Sequence, residues 1–383
     1  MSDDTQYDVI VVGAGPGGAL TGYFLSCRGL RTLIIEKKAL PRHKPCGGGL
    51  TRRALDCLPF DVQEVIEDTP DTFIINVANR RVFHKTLNDP LLATVMRNKF
   101  DHFLIKKAVQ AGAVLQERTD FRSLKGSAGK LEVVTSRGRL KTRIIVGADG
   151  VQSRVARALG LRVGMNVVNA MEGQVFHGEV DGLRNAERAV QFDFGIVPKG
   201  YGWVFPKRDH LSVGVFSTSR RIWNLKPQFS SYLKMKGLHL GTRITSLRSH
   251  LIPKGPPRRK DCFADERGLL VGDAAGFVDP LTGEGIFYAV RGAEIASEVI
   301  ADAFSLGYGH MKQYNTLLKK AFANDLILAR GIAYVLYNIP ALGNKLLEIK
   351  GETLAEHQIN VISGKGTYGE LWRKVFRSPD LVE

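Results

Sequence analysis

Apolar positions along this chain follow three rhythms, and each predicts a different kind of element. Residues 8–12 (Asp-Val-Ile-Val-Val) form a short β-branched run of the buried-strand type, residues 19–28 continue at helical length, and 32–35 is a second short apolar strand. Residues 71–87 read as two strands joined around Ala78 and Asn79. Residues 91–112 read as one helix, with Phe100, Phe103, Leu104 and Ala108 at helical spacing. A strand over 113–121 and a hairpin over 129–143, punctuated by Arg137-Gly138, follow. Residues 144–158 again read strand, turn, helix. From 164 to 255 the pattern alternates with period two, as in Gln-Val-Phe-His-Gly-Glu-Val, which predicts an antiparallel sheet. Residues 269–300 return to strand, turn and long helix, and 306–383 look mostly helical and basic.

The first strand–turn–helix carries chemistry. Gly13, Gly15 and Gly18 supply Gly-x-Gly-x-x-Gly, with Pro16 and Gly17 inside it, between a strand and a helix. Gly13 lets the chain turn, Gly15 has no side chain to keep a pyrophosphate from backbone N–H groups, and Gly18 lets the helix pack on the strand. Glu36, followed by Lys37, stands about 20 residues on at the end of the second strand, where a carboxylate accepts hydrogen bonds from ribose hydroxyls. This stretch predicts dinucleotide binding and leaves FAD and NAD both open.

Composition narrows the class. At 383 residues the chain is long enough for two or three domains, and 44% hydrophobic with 24% charged residues is ordinary for a globular protein. The acidic start Met-Ser-Asp-Asp is no signal-peptide n-region. No apolar run reaches the roughly 18 to 20 residues of a spanning helix. The longest, Gly331 to Leu342, is interrupted by Pro340, so an integral membrane protein is not expected. Cys27, Cys46, Cys57 and Cys262 show neither Cys-x-x-Cys nor metal-ligand spacing, which suits a reducing cytoplasm and no bound metal. The balance of 54 Lys+Arg against 38 Asp+Glu, net +16, fits a generally basic proteome or peripheral contact with an anionic membrane face. Nucleic acid is disfavoured, because no helix-turn-helix, zinc-finger or RNP-type motif is present.

Residues 41–49, Pro-Arg-His-Lys-Pro-Cys-Gly-Gly-Gly, resemble the P-x-x-K-x-C-G-G-G signature of the geranylgeranyl reductase family of flavoproteins. The resemblance places Cys46, Gly47, Gly48 and Gly49 near the isoalloxazine ring. It extends to Met-Arg97-Asn-Lys-Phe-Asp-His-Phe-Leu, whose arginine reaches the flavin nucleotide in the family, and to Phe121, whose backbone position flanks the adenine. Gly-Ala-Asp149-Gly150 with Ser153 resembles the second conserved element of FAD-dependent hydroxylases; a purely structural helix cap is the other reading of those residues. Gly272-Asp273-Ala-Ala-Gly, with Pro280, Gly283, Gly285 and Ile286, resembles the third. There Asp273 is placed to accept from ribityl hydroxyls, and a helix starting at Ile286 points its N-terminus at the flavin. This third element resolves the dinucleotide as FAD. Tyr201-Gly-Trp203-Val-Phe205-Pro resembles the family's Y-x-W-x-F-P substrate motif, although ordinary sheet core also explains these rings. The sequence departs from the family at Phe216, where a glycine usually sits, which implies a narrower or shorter tunnel.

The resemblance implies an α/β (α+β) protein related to p-hydroxybenzoate hydroxylase: a Rossmann-like FAD-binding domain with an inserted antiparallel-sheet substrate domain and a helical C-terminal tail. The expected boundaries are 1–70, 90–163 and 256–305 for the FAD domain, 71–89 and 164–255 for the substrate domain, and 306–383 for the tail. The implied activity is saturation of isolated C=C bonds in a polyprenyl diphosphate or a prenylated lipid or quinone. NADPH or a ferredoxin-type carrier would be the electron donor, in the cytoplasm or on the inner membrane face. Cys46 is the candidate proton donor, a thiol of reference pKa about 8.5 being mostly protonated at neutrality; a small residue packing by the ring is the other reading. An FAD-dependent monooxygenase of the same fold and a redox-responsive membrane-associated flavoprotein without turnover are the alternatives. Arg80, Arg81, Lys207, Arg208, Arg258 and Arg259 are candidate cations for a charged substrate head.

Overall fold

The computed structural model describes residues 6–78, 80–161, 167–176, 189–219, 221–222, 224–237, 244–255, 257 and 262–376. Its contacts divide the chain into two compact units, each built from three segments. Met1–His43, Asn98–Asn166 and Pro253–Asn324 form the first; Lys44–Arg97, Val167–Ile252 and Asp325–Glu383 form the second.

In the first unit, Gln6–Val12 pairs in parallel with Thr32–Ile35 on one side and Gly138–Gly147 on the other. Val114–Gln116 and Gly268–Leu270 extend the parallel part, and the antiparallel strands Lys130–Thr135 and Phe121–Ser127 complete a seven-stranded sheet. The β-branched run is why the sequence does this: Val9, Ile10, Val11, Ile34, Ile35, Ile144, Ile145 and Val146 are all fully buried, as strands covered on both faces must be. The helix Pro16–Cys27 follows the first strand, and a Cβ on Gly17 would lie within 3.6 Å of Ala289 on the long helix Ile286–Leu306. The five parallel strands all end at the same carboxyl edge of the sheet, where Ala148 N donates to Val12 O at 2.9 Å and Gly13 N to Ile35 O at 2.8 Å.

In the second unit, a seven-stranded sheet runs Ile244–Pro253, Val167–Phe176, His210–Ser217, Gly200–Pro206, Ala189–Phe194, Thr72–Val77, Arg80–Thr86. The helix Lys226–Met235 covers one face with Phe229, Tyr232 and Leu233, packed on Val175, Val213 and Val215. Phe73, Ile75, Phe83 and Val190 on the other face pack with Ala355 and Ile359 of the helix Pro340–Ile362. Each such aliphatic or aromatic side chain contributes on the order of 2 kcal/mol by leaving water. Buried Asp193 ties the first of these helices down, accepting from Asn76 Nδ2, Tyr232 Oη and Lys236 Nζ. A three-stranded sheet, Gly49–Thr51, Leu92–Val95 and Ile66–Asp68, lies in the same unit.

Several sequence expectations change. The expected helix over 91–112 begins only at Arg97 and ends at Gln110; Leu92–Val95, entirely buried, is a strand held between two others. The expected strand over 113–121 is Val114–Gln116 alone, because Arg118 at φ 52° turns the chain, and Phe121 opens the next strand. The sheet over 164–255 is not wholly antiparallel: Ala189–Phe194 runs parallel to Thr72–Val77. The strand expected at 174–180 is seen as far as Phe176, and its continuation lies outside the described residues. Among the described residues no single helix is long and apolar enough to cross a membrane.

Candidate functional site

The glycine loop shows what each glycine is for. Gly13 sits at φ 106°, and a Cβ there would lie 2.4 Å from Ala148 O; one on Gly18 would lie 1.9 Å from Gly13 O. Around Gly15, by contrast, only Arg42 comes within 4 Å, at 3.8 Å. Gly13 and Gly18 are thus required by the protein's own backbone, whereas Gly15 borders open space at a helix start that no side chain caps. A phosphate fits such a cradle, since helical N–H groups and the dipole both favour an anion.

Glu36 lies at the end of its strand, buried, and accepts from Ala14 N at 3.0 Å and Lys38 N at 3.0 Å; Lys37 is exposed. Sequence reasoning missed its partner. Arg42 Nε lies 3.3 Å from Glu36 Oε2, and Arg42 Nη1 donates to Asp101 Oδ2 at 3.0 Å, which puts a cation beside the glycine loop. Its position six residues after Glu36, between Pro41 and Pro45, gave no periodic signal.

The other two segments expected to hold the cofactor are in the same unit. Asp149 accepts from Ser153 Oγ at 2.5 Å and from the N–H groups of Arg154 and Val155, while burial pushes its carboxyl above the usual range. Ser153 Oγ in turn accepts from Ala156 N, so the expected helix cap is present. Gly150 at φ 81° has nothing near it, and the buried Phe121 gives its carbonyl to Arg154 Nη1 at 3.2 Å. Gly283 at φ 74° closes a turn begun by Asp279 and buried Pro280, and Gly285 then precedes the 21-residue helix that opens at Ile286. A Cβ on Gly285 would lie 3.2 Å from Asp273 Oδ1, so the carboxylate stands beside that helix start.

The remaining predicted residues, Cys46, Gly47, Gly48, Gly49, Arg97, Tyr201, Trp203, Phe205 and Phe216, all lie in the second unit. There the glycines face the aromatic strand. A Cβ on Gly47 would lie 3.1 Å from both the Phe205 ring and Trp203 Nε1, and one on Gly49 3.1 Å from Phe205. Gly48, at φ 68°, has Val95 O where a Cβ would go. The triple glycine therefore answers to the protein's own rings and backbone. Trp203 also covers Gly214, and Tyr201 packs with Phe192, Phe194, Phe216 and Tyr337 at centroid distances of 5.2–6.5 Å.

Two charged residues beneath the turn were not foreseen in this role. Cys46 N donates to Glu172 Oε2 at 2.6 Å, Ser212 Oγ donates to Glu172 Oε1 at 3.2 Å, and Lys207 Nζ donates to Gly47 O at 2.7 Å and Val95 O at 3.1 Å. Gly48 N donates to Cys46 Sγ at 3.3 Å. Lys207, expected among the cations for a substrate head, is 2% exposed and committed to these carbonyls. Burial raises the Glu172 carboxyl to about 7 and lowers the Lys207 ammonium to about 8, against their mutual attraction. Arg97, also buried, adds a second positive charge felt by Glu172. The period-two pattern hid Glu172, because one carboxylate in an alternating strand reads as solvent-facing. Of the other proposed cations, Arg80 and Arg208 are exposed, while Arg258, Arg259 and the Arg81 side chain lie outside the described residues.

Comparison with known proteins agrees with this geometry. The family profile described as "FAD binding domain" matches residues 6–305. An uncharacterised protein of Methanosarcina barkeri is 31% identical over 350 residues, covering 89% of this chain and 87% of its own. The chloroplastic geranylgeranyl diphosphate reductase of Nicotiana tabacum is 27% identical over 328 residues, 78% of this chain and 67% of that protein. Among solved structures, a geranylgeranyl bacteriochlorophyll reductase-like protein of Thermoplasma acidophilum superposes with a TM-score of 0.81 at 23% identity, covering 97% of both chains. An open, uncapped helix start at Gly15, a buried acid at Glu36 and a profile match over most of the length converge, and the chain belongs to the FAD-binding-domain family of FAD-dependent oxidoreductases.

Proposed function

We propose that this protein reduces isolated C=C bonds of a polyprenyl chain of the geranylgeranyl type. The observation that carries this reading is the packing of the Cys46–Gly49 turn against Trp203 and Phe205, which joins both signature motifs of the resemblance in one largely apolar wall. Relatives that include a geranylgeranyl diphosphate reductase support it.

In this reading the first unit holds FAD. Gly13–Gly18 and the helix start at Pro16 take the pyrophosphate, and Glu36 takes ribose hydroxyls. Asp273 with the helix start at Ile286 faces the flavin side, and Asp149, Gly150, Phe121, Pro280 and Gly283 shape the surrounding loops. Reduced FAD, when bound, supplies the hydride equivalent, and NADPH or a ferredoxin-type carrier resupplies the electrons. An isolated alkene is a poor hydride acceptor, so the second alkene carbon needs a proton from a site that excludes water. Tyr201, Trp203, Phe205 and Phe216 line that site and exclude water, and Cys46 holds the proton at Sγ. The prenyl head stays near the membrane surface. Exposed Tyr334, Leu342 and Ile349, with Arg330 and Lys345 on the same two helices, suit peripheral contact with anionic lipid.

The test is anaerobic. The flavin is reduced chemically, geranylgeranyl diphosphate or a geranylgeranylated lipid is added, and flavin reoxidation is followed with product mass. Reoxidation with products heavier by pairs of hydrogens is the expected result. A flavin that stays reduced until oxygen enters would overturn the reading and favour a hydroxylase.

A further inference from the structure

Glu172 and Lys207 are buried charges, and the reading above gives them no task. Removing a carboxylate and an ammonium from water costs several kcal/mol each, and apolar residues would fill a sheet face more cheaply. Their hydrogen bonds say what they hold. Glu172 takes the N–H of Cys46, and Lys207 takes the carbonyl of the next residue, Gly47. The two side chains thus grip consecutive backbone groups of one turn from below. Ser212, two strand positions from Gly214 on the strand paired with that of Glu172, fixes the other carboxylate oxygen. Val95 O fixes the other side of the ammonium.

We propose that Glu172 and Lys207 are positioning residues that clamp the Cys46–Gly48 turn and set the readiness of the Cys46 thiol to give up its proton. This rests on the reading of Cys46 as the proton donor. When the S–H bond breaks and the proton bonds to the alkene carbon, the electron pair stays on sulfur as a thiolate. The Gly48 N–H already points at that sulfur, and the Lys207 ammonium attracts its charge; both stabilise the thiolate. The Glu172 carboxylate, bonded to the Cys46 N–H, acts against it. The other charged or titratable groups that bear on the pair are Arg97, Glu67, Asp68 and His210, whose ring burial shifts below its ordinary pKa against the pull of Asp209. Because burial brings Glu172 and Lys207 to about 7 and 8, their proton occupancy changes within the working range of pH.

The experiment reads Cys46 directly and needs no prenyl substrate. Flavin-loaded wild type, E172Q, K207M and K207R are treated with iodoacetamide from pH 6 to 9, and alkylation of the Cys46 peptide is followed by mass spectrometry, which separates it from the other three thiols. Loss of the cation in K207M slows Cys46 alkylation at pH 8 by about tenfold, and loss of the carboxylate in E172Q speeds it severalfold, since each unit of proton affinity is a factor of ten. K207R restores the wild-type direction. A clamp that served packing alone would loosen in both variants and expose the thiol, so changes of the same sign, or below twofold, overturn the proposal. If K207M does not fold, the pH profile of E172Q decides: faster alkylation with its midpoint moved to lower pH upholds the clamp, whereas uniformly faster alkylation with the midpoint unmoved, or unchanged or slower alkylation, ends it. Opposite-signed alkylation in a protein that fails the anaerobic assay would remove the prenyl reading and leave the clamp. Product formation with flat alkylation would do the reverse.

Discussion

The backbone N–H of Cys46 and the carboxylate of Glu172 meet at 2.6 Å in a buried setting, so the signature turn is held by a charge that has left water. This has a consequence for stability against pH. Unfolded, the carboxyl titrates near 4.5, and in the folded chain it titrates near 7. Its contribution is therefore full below pH 4.5 and is lost as pH rises to 7. Lys207 has the opposite sign: lowered to about 8 from 10.5, it contributes fully above 10.5 and loses that contribution as pH falls through 8. Both contributions are at their lowest between pH 7 and 8. E172Q cannot ionise, so its unfolding free energy falls less steeply than wild type between pH 5 and 7, by up to about 3 kcal/mol over the range. Urea titrations at each pH measure the two slopes.

Gly48 and Gly47 separate two kinds of glycine requirement. A Cβ on Gly48 would meet Val95 O at 2.1 Å with φ at 68°, whereas on Gly47 it would meet ring atoms at 3.1 Å. G48A is expected to lose roughly 3 kcal/mol or more, because backbone cannot yield, and G47A about 1 kcal/mol as the rings shift. Thermal melts of the two variants should rank in that order; the reverse ranking would mean that the turn is free to reshape.

Gly15 and Gly13 make a second contrast, this time between binding and folding. G13A strains a φ of 106° against Ala148 O and is expected to melt well below wild type. G15A has room for its methyl and should keep the wild-type apo melting temperature while losing FAD affinity by tenfold or more. Melting with and without added FAD reads both effects in one experiment.

Arg42 bridges Glu36 and Asp101, two carboxylates almost wholly out of water. R42M leaves both without that cation, and breaking a buried pair in this way costs about 3–5 kcal/mol. Its FAD affinity should fall as well, because Glu36 is no longer oriented beside the glycine loop. A variant that melts like wild type would show that the two carboxylates are relieved by other groups.

Cys46 is tested by C46A. On the proposed reading of Cys46 as proton donor, reoxidation of reduced flavin by a prenyl substrate should slow in this variant by about 10² to 10⁴, the usual range for a positioned acid. Flavin content should stay within twofold of wild type. Undiminished turnover would reassign Cys46 to packing.

The glycine loop, Glu36, the Ser153 cap and the helix start after Gly285 were legible in the sequence because a short run of residue types at fixed spacing announces each, although Gly13 also answers to Ala148 and Glu36 to Ala14 and Arg42. The strand Leu92–Val95 was not, since its four residues carry no helix breaker and continue smoothly into Arg97; only its partners Gly49–Thr51 and Ile66–Asp68 make it a strand. Glu172 and Lys207 escaped for the same reason. Alternation says which residues share a face of a sheet, and a carboxylate in such a pattern reads as wet until the turn that covers it is known. Arg42 lay in a proline-flanked loop where no period applies. What local rules miss here is long-range pairing.

The clamp on the signature turn reaches across 126 residues to Glu172 and 160 to Lys207. As the chain is made, Cys-Gly-Gly-Gly emerges early and waits for most of the second sheet before either grip can close. Loop closure over such spans is slow relative to local turns. The turn cannot be held at both ends until Lys207 has been made, and a fragment ending before Lys207 carries the motif without the geometry that gives it meaning.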